Sequence, residues 1–326
     1  MSAGSIRLGV LIAAVATLAA IATPVSAAPS VSIGTATVSA GTATITGTAN
    51  FPAITTPQSV VGDESIATAG AVGGTAAGDT AGLNLTDAAI IPLAGDSGLR
   101  FIWTMQGMPA QVPPEGVRYT WAFKIGTAFF QLQAKRTNMA STTTAEDPLG
   151  HAGKLASQQN FFQLRGACTS TYPQPPSNVN GCYHLAFLNG TIDTTAGKIT
   201  IDLPYSPRDS IGRIVAPEFK QGVVLEDNAG TNTAGMVVAA CFQAVLNVAD
   251  MCRYINGINK YYTGPQVHLA VAAPGAAPEA LTYSTAATLS GGSYTGSVSG
   301  LGGNVKTVYV RACNGTECSY SSQTVL

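Results

Sequence analysis

Apolar and polar residues alternate with a period of two through much of the chain. Leu99, Phe101, Trp103 and Met105 alternate with Arg100, Ile102 and Thr104, and Tyr119, Trp121, Phe123 and Ile125 with Thr120, Ala122 and Lys124. Successive side chains of a strand point to opposite faces, so each run predicts a strand with one buried, aromatic-rich face. The stretch between them, residues 107–116, holds too much Pro and Gly for a helix, and residues 129–136 continue as a third strand of an antiparallel meander. Upstream, residues 31–39 and 43–48 predict a hairpin turned through Ala40, Gly41 and Thr42. Residues 52–79 have loop composition, with brief pairing expected at 59–61 and 65–67. Downstream strands are predicted at 161–167, 183–188 and 198–204, then at 267–271, 285–289, 294–298, 305–313 and 318–325. Only residues 236–252 leave helix and strand both open, because Ala239, Ala240, Phe242, Ala244, Val245, Leu246 and Val248 show no clean period of two.

The N-terminal apolar run differs in kind. One cation, Arg7, precedes residues 8–22; Pro24 then breaks the run, and Val25, Ser26 and Ala27 offer the small residues a signal peptidase reads. This predicts a secretory signal over residues 1–27 and an extracellular mature protein. The run is shorter than the roughly 20 apolar residues that span a bilayer, so no membrane span is expected after cleavage. The remainder is read as all-β: a large antiparallel β-sandwich over 28–263, followed by a small immunoglobulin-like β-sandwich over 264–326.

Composition narrows the function. Charged residues are 10% of the chain, against roughly 25% in an average soluble domain, and the formal charge is −1. A protein holding nucleic acid through its phosphates needs a basic surface, so nucleic acid is not expected as a partner. Export permits disulfides, and the cysteines fall as close neighbours: Cys168 with Cys182, Cys241 with Cys252, Cys313 with Cys318. Local pairing is expected, although sequence alone does not select a connectivity. At Cys313–Cys318 a four-residue hairpin tip sets the two cysteines opposite each other. No Cys-x-x-Cys spacing suggests a metal cluster.

Motifs for catalysis fail on context. Gly95-Asp96-Ser97-Gly98 reproduces the tetrapeptide around a serine-protease nucleophile, but His151, His184 and His268 all follow it, whereas that chemistry needs a histidine upstream. A tight turn into the Leu99 strand accounts for it. The acids fall as adjacent pairs, Asp63-Glu64, Glu146-Asp147 and Glu226-Asp227, whose side chains diverge on any strand rather than flanking a glycosidic bond. Asp63, Asp79, Asp87 and Asp96 bracket the irregular region and are the candidate ligands of a structural calcium; their bland role is to cap turns. Trp103 and Trp121 read as core. Tyr172, Tyr205, Tyr261 and Tyr262 fall outside clean alternation and are the candidates for exposed rings that stack on a sugar.

The residues Gly78-Asp-Thr-Ala-Gly-Leu-Asn-Leu-Thr86, Phe101-Ile-Trp-Thr, Tyr119-Thr-Trp-Ala-Phe and Ile199-Thr-Ile-Asp-Leu-Pro204 resemble secreted bacterial proteins with a DOMON-like, family-9 carbohydrate-binding-module-like β-sandwich. Val308-Tyr-Val-Arg-Ala-Cys-Asn-Gly-Thr-Glu-Cys318 resembles the last hairpin of an immunoglobulin-like module. The resemblance implies recognition of sugar or haem and carries no site residue across. The expected function is therefore a non-catalytic extracellular binding or envelope-associated protein whose partner is a polysaccharide or a surface protein. The alternatives are a carbohydrate-active enzyme or accessory subunit acting on cell-wall polysaccharide, and a structural surface component.

Overall fold

A computed structural model describes residues 28–60, 66–68, 85–106, 108, 117–136, 160–166, 183–226, 236–242, 251–256, 260–302 and 305–325. Residues 1–27, read from the sequence as a secretory signal, lie outside them. The first strands are β1 (Ser30–Ser39), β2 (Thr42–Asn50), β3 (Gln58–Ser59), β4 (Ile66–Thr68), β5 (Leu85–Pro92), β6 (Gly98–Met105) and β7 (Val117–Ile125). Next come β8 (Ala128–Arg136), β9 (Asn160–Gly166), β10 (Tyr183–Phe187), β11 (Asn189–Asp193), β12 (Lys198–Pro204), β13 (Val224–Leu225) and β14 (Val237–Phe242). The last are β15 (Met251–Asn256), β16 (Tyr261–Ala272), β17 (Thr285–Ala286), β18 (Thr288–Ser290), β19 (Ser293–Ser299), β20 (Lys306–Gly315) and β21 (Glu317–Val325). No α-helix occurs among the described residues, and every strand pairing is antiparallel.

Two sheets form the large sandwich. One has the order β10-β9-β8-β7-β14-β15-β4, the other β11-β12-β6-β5-β3. Their facing sides share one apolar core, in which Trp103, Trp121, Tyr119, Phe101 and Phe123 are essentially inaccessible to water. Trp121 meets Phe101 edge-on at 4.9 Å and Trp103 at 5.3 Å; each such pair adds about 0.5–1.5 kcal/mol to simple burial. The indole N–H of Trp103 donates to the Thr120 carbonyl at 3.3 Å, so its one polar atom is satisfied inside the core. The segment that left helix and strand open supplies β14 and β15. β14 lies mid-sheet, hydrogen-bonded to β7 on one side and to β15 on the other.

The second sandwich packs β1-β2-β19-β18 against β13-β16-β20-β21, with β17 on the edge of β16. Ile45, Val267, Leu269, Val298, Val308 and Val310 fill the space between. The β1–β2 turn places Ala40 (φ 48) and Gly41 (φ 75) in the left-handed region, the geometry that matches hairpin twist.

Sheet membership cuts across the division expected at residue 263. The first hairpin pairs through β2 with β19, from Thr48↔Ser293 to Thr42↔Ser299. The small sandwich is thus assembled from both ends of the described chain, and the large one is inserted between β2 and β16. β16 itself runs through residue 263: Leu225↔Tyr261 and Val224↔Tyr262 tie its start to β13, and Gln266↔Cys313 begins its main pairing with β20. Between the two registers, Gly264 adopts φ 99 and Pro265 offers no N–H, so the strand shifts there.

Candidate functional site

A cavity of about 390 Å³ opens where the two sandwiches meet. Its apolar walls include Phe51, Ile54, Pro92, Leu93, Leu99 and Pro265, and Asp96, Tyr205 and Tyr261 also line it. The fold explains each. Asp96 sits in the Gly-Asp-Ser-Gly turn, where Gly95 (φ 67) and Asp96 (φ 51) are both left-handed and Asp96 N–H donates to the Leu93 carbonyl at 2.9 Å. Ser97 closes that turn by donating its hydroxyl to the Ala94 carbonyl at 3.0 Å, so the tetrapeptide is the predicted turn into β6. Tyr205 follows β12 and is held by its N–H on the Ser97 carbonyl at 3.0 Å, with its ring 5.3 Å from Phe219. Tyr261 opens β16 and faces the large core.

The hydroxyls of Tyr205 and Tyr261 are buried without a hydrogen-bond partner of good geometry. Burial pushes the Tyr205 phenol far above its ordinary value; the nearby charge of Asp96 adds to this and the Thr263 hydroxyl opposes it. Tyr261 is pushed up further by burial, with Tyr205 and Asp96 contributing. Both phenols are therefore neutral donors at neutral pH, not bases. The Asp96 carboxylate accepts from the Gln221 side-chain amide. No second carboxylate lines the cavity among the described residues.

The other expected residues separate. Tyr261 and Tyr262, predicted to be exposed, are 0% and 5% exposed, because β16 is covered on both faces where the two sandwiches join. Neither presents a ring to solvent; Tyr262 lies instead against Arg311. Tyr172 lies outside the described residues, as do Asp63, Asp79, Cys168, Cys182 and His151. Asp87 lies within β5, opposite Thr104 of β6, and accepts from the Ser59 hydroxyl and the Ala88 N–H, both at 2.8 Å. Among the described residues no three His, Cys, Asp or Glu side chains gather as a metal site. Glu226 sits between Lys260 at 3.2 Å and Lys124 at 3.7 Å. Cys313 and Cys318 form a disulfide across the β20–β21 tip, with Cα atoms 4.2 Å apart. Cys241 and Cys252 stand opposite each other in the β14–β15 register.

One feature escaped sequence reasoning. The face of β7, β8 and β9 turned away from the core carries Arg118, Thr120, Gln131, Gln133, Lys135, Gln163 and Arg165, all buried. Their alternation with Tyr119, Phe130, Leu132 and Leu164 reads as an ordinary solvent face. A chain of hydrogen bonds crosses it: the Gln163 amide donates to Gln133 Oε1, leaving Gln163 Oε1 to accept from His184 Nδ1 at 2.8 Å. His184 is thereby a satisfied interior histidine, at the rim of a groove of about 420 Å³ shared with Asp209, Ser210, Ile211 and Arg213.

No protein-family model matches the chain, and neither a curated protein nor a solved structure gives a significant match.

Proposed function

We propose that this is a secreted, non-catalytic binding protein that takes a sugar residue of an extracellular polysaccharide into the cavity between its two sandwiches. The observation that carries the reading is the pair of unpartnered buried phenols, Tyr205 and Tyr261, beside the Asp96 carboxylate in an otherwise apolar cavity. A few convergent polar groups in an apolar concavity are the ordinary build of a ligand site. The phenols offer protons and the carboxylate accepts them. A sugar hydroxyl does both at once, and the C–H face of a pyranose suits walls of Pro, Leu and Ile.

The enzymatic alternative is less well supported, since glycoside hydrolysis ordinarily uses two carboxylates across the scissile bond and Asp96 is the single acid lining the cavity among the described residues. Among those residues no helix is long and apolar enough to cross a membrane.

The test is co-sedimentation of the purified chain with insoluble neutral polysaccharides and cell walls, with calcium and with chelator. Saturable binding that falls about tenfold in Tyr205→Phe and in Asp96→Asn is expected, each change removing one hydrogen bond to ligand. Binding that ignores both changes, or no binding at all, overturns the reading.

A further inference from the structure

The outer face of the C-terminal sheet holds a cationic side chain of unusual setting. Arg311, on β20, stands opposite His268 on β16 and opposite Tyr320 on β21. Its guanidinium carbon lies 4.5 Å from the centre of the Tyr283 ring and 5.6 Å from that of Tyr262. Tyr283 arrives on the segment that crosses this face between β16 and β17, packed with Ala270 and Tyr309. Tyr283 and Tyr320 are 6.1 Å apart; Tyr283 is 8% exposed and Tyr320 37%.

Two rings approach the guanidinium, yet no carboxylate pairs with it among the described residues, and Arg311 Nε has no hydrogen-bond partner. The Tyr283 hydroxyl and His268 Nδ1 are likewise buried without partners. Stacking on aromatic rings engages the faces of a guanidinium and not its in-plane N–H groups, which stay available to an acceptor. Burial and the charge of Arg311 hold His268 below its ordinary value, so it adds no second cation at neutral pH. The cluster is one planar cationic fork with an unpaired phenol beside it and an exposed ring at its rim.

We propose that Arg311, flanked by Tyr262 and Tyr283, is a second ligand site, which binds the carboxylate of a uronic-acid residue while the ring of Tyr320 packs on the sugar. The planar fork matches a carboxylate in two parallel hydrogen bonds. A single cation without backbone amides is a poor match for phosphate. Tyr320 favours a sugar over a bare carboxylate, because it places an aromatic face next to the fork. The assignment rests on the carbohydrate reading above but uses a different face of the molecule.

The experiment titrates the full chain, its Cys313–Cys318 bridge intact, with polygalacturonate and with the same polymer fully methyl-esterified. Expected are saturable binding of the acid polymer and a loss of about tenfold or more on esterification and in Arg311→Gln. Arg311→Lys falls between, keeping the charge without the fork. Tyr320→Ala, at an exposed position, loses affinity severalfold with an unchanged melting temperature, which covers the case of Arg311→Gln failing to fold. Tyr205→Phe leaves polygalacturonate binding intact, so the two sites fail separately. Equal binding of ester and acid, equal binding of poly-glutamate, indifference to Arg311→Gln in a folded variant, or no binding by the unmodified chain overturns the proposal.

Discussion

Tyr261 and Tyr262 are consecutive in β16, yet they serve different sandwiches. Tyr261 is buried in the core of the large one and ends at the cavity beside Asp96, while Tyr262 turns to the outer face of the small one and meets Arg311 5.6 Å from its ring centre. One strand thus wires the two units together, and alternation alone sends its side chains to opposite sides.

Tyr261→Phe separates stability from binding. The Tyr261 hydroxyl is buried without a partner, a condition that costs about 1–3 kcal/mol when nothing compensates it. Its removal is expected to leave urea stability unchanged or raised by about 1 kcal/mol, while neutral-glycan binding falls. A fall in both shows that the hydroxyl is held by the protein itself.

Gly315→Ala tests the seam between the units. Gly315 has φ 61, and a Cβ there would come within 1.8 Å of Gln58 Oε1, the atom that accepts from Thr316 N–H at 3.1 Å. Gly126 has φ 58 with open space around it. Gly126→Ala is expected to cost about 1–2 kcal/mol from the backbone alone, and Gly315→Ala roughly 1 kcal/mol more. Equal losses in chemical denaturation disprove the Gln58 contact.

Dissection tests the inserted topology. A peptide of residues 261–326 lacks β2, leaving β19 unpaired on one side and Val267, Leu269 and Val308 uncovered. It is expected to remain unfolded by circular dichroism. The same segment joined through a Gly/Ser linker to residues 28–50 is expected to fold cooperatively. A folded 261–326 peptide would show that the hairpin is dispensable.

Alkaline stability follows from the buried phenols. Burial pushes Tyr119 up to about 12 although Arg136 opposes it, and burial also holds Tyr294 at about 12, whereas an unfolded tyrosine ionises near 10. Above pH ~10 the unfolded chain releases protons that the folded chain keeps, so the stability present below that pH is lost as pH rises through about 12. Phenolate absorbance is expected to rise together with the loss of near-ultraviolet dichroism. Tyr119→Phe, which removes a hydroxyl without a partner, moves the transition upward. Titration of all tyrosines near 10 in a folded protein contradicts this.

Much of the large sandwich was legible because its strands each turn an apolar face to the shared core. Phe101, Trp103, Tyr119, Trp121 and Phe123 all point inward as their alternation requires. The pattern failed at the start of β16, where the consecutive residues Tyr261, Tyr262 and Thr263 are all buried and burial ceases to alternate. It told which face Gln131, Gln133 and Lys135 occupy but not that this face is covered. The pairing of β2 with β19 left no local trace, because register between distant segments is set by the fit of whole sheets. Asp96 and Tyr205 were singled out separately, and only the meeting of the Gly95 turn with the end of β12 brings them to one cavity.

The inserted arrangement also has a clock. β1 and β2 leave the ribosome first, but the β19 partner of β2 begins at Ser293, more than 200 residues after Asn50. At about 5–20 residues per second the hairpin waits on the order of 10–50 s with one edge open and Ile45 uncovered. A two-stranded hairpin is marginal by itself in water, and an open edge invites other strands. Its outward positions, Thr35, Thr37, Thr44 and Thr46, are small hydroxyl residues, so what the nascent chain presents during that interval is polar on one side and apolar only on the side that β16 and β20 finally close.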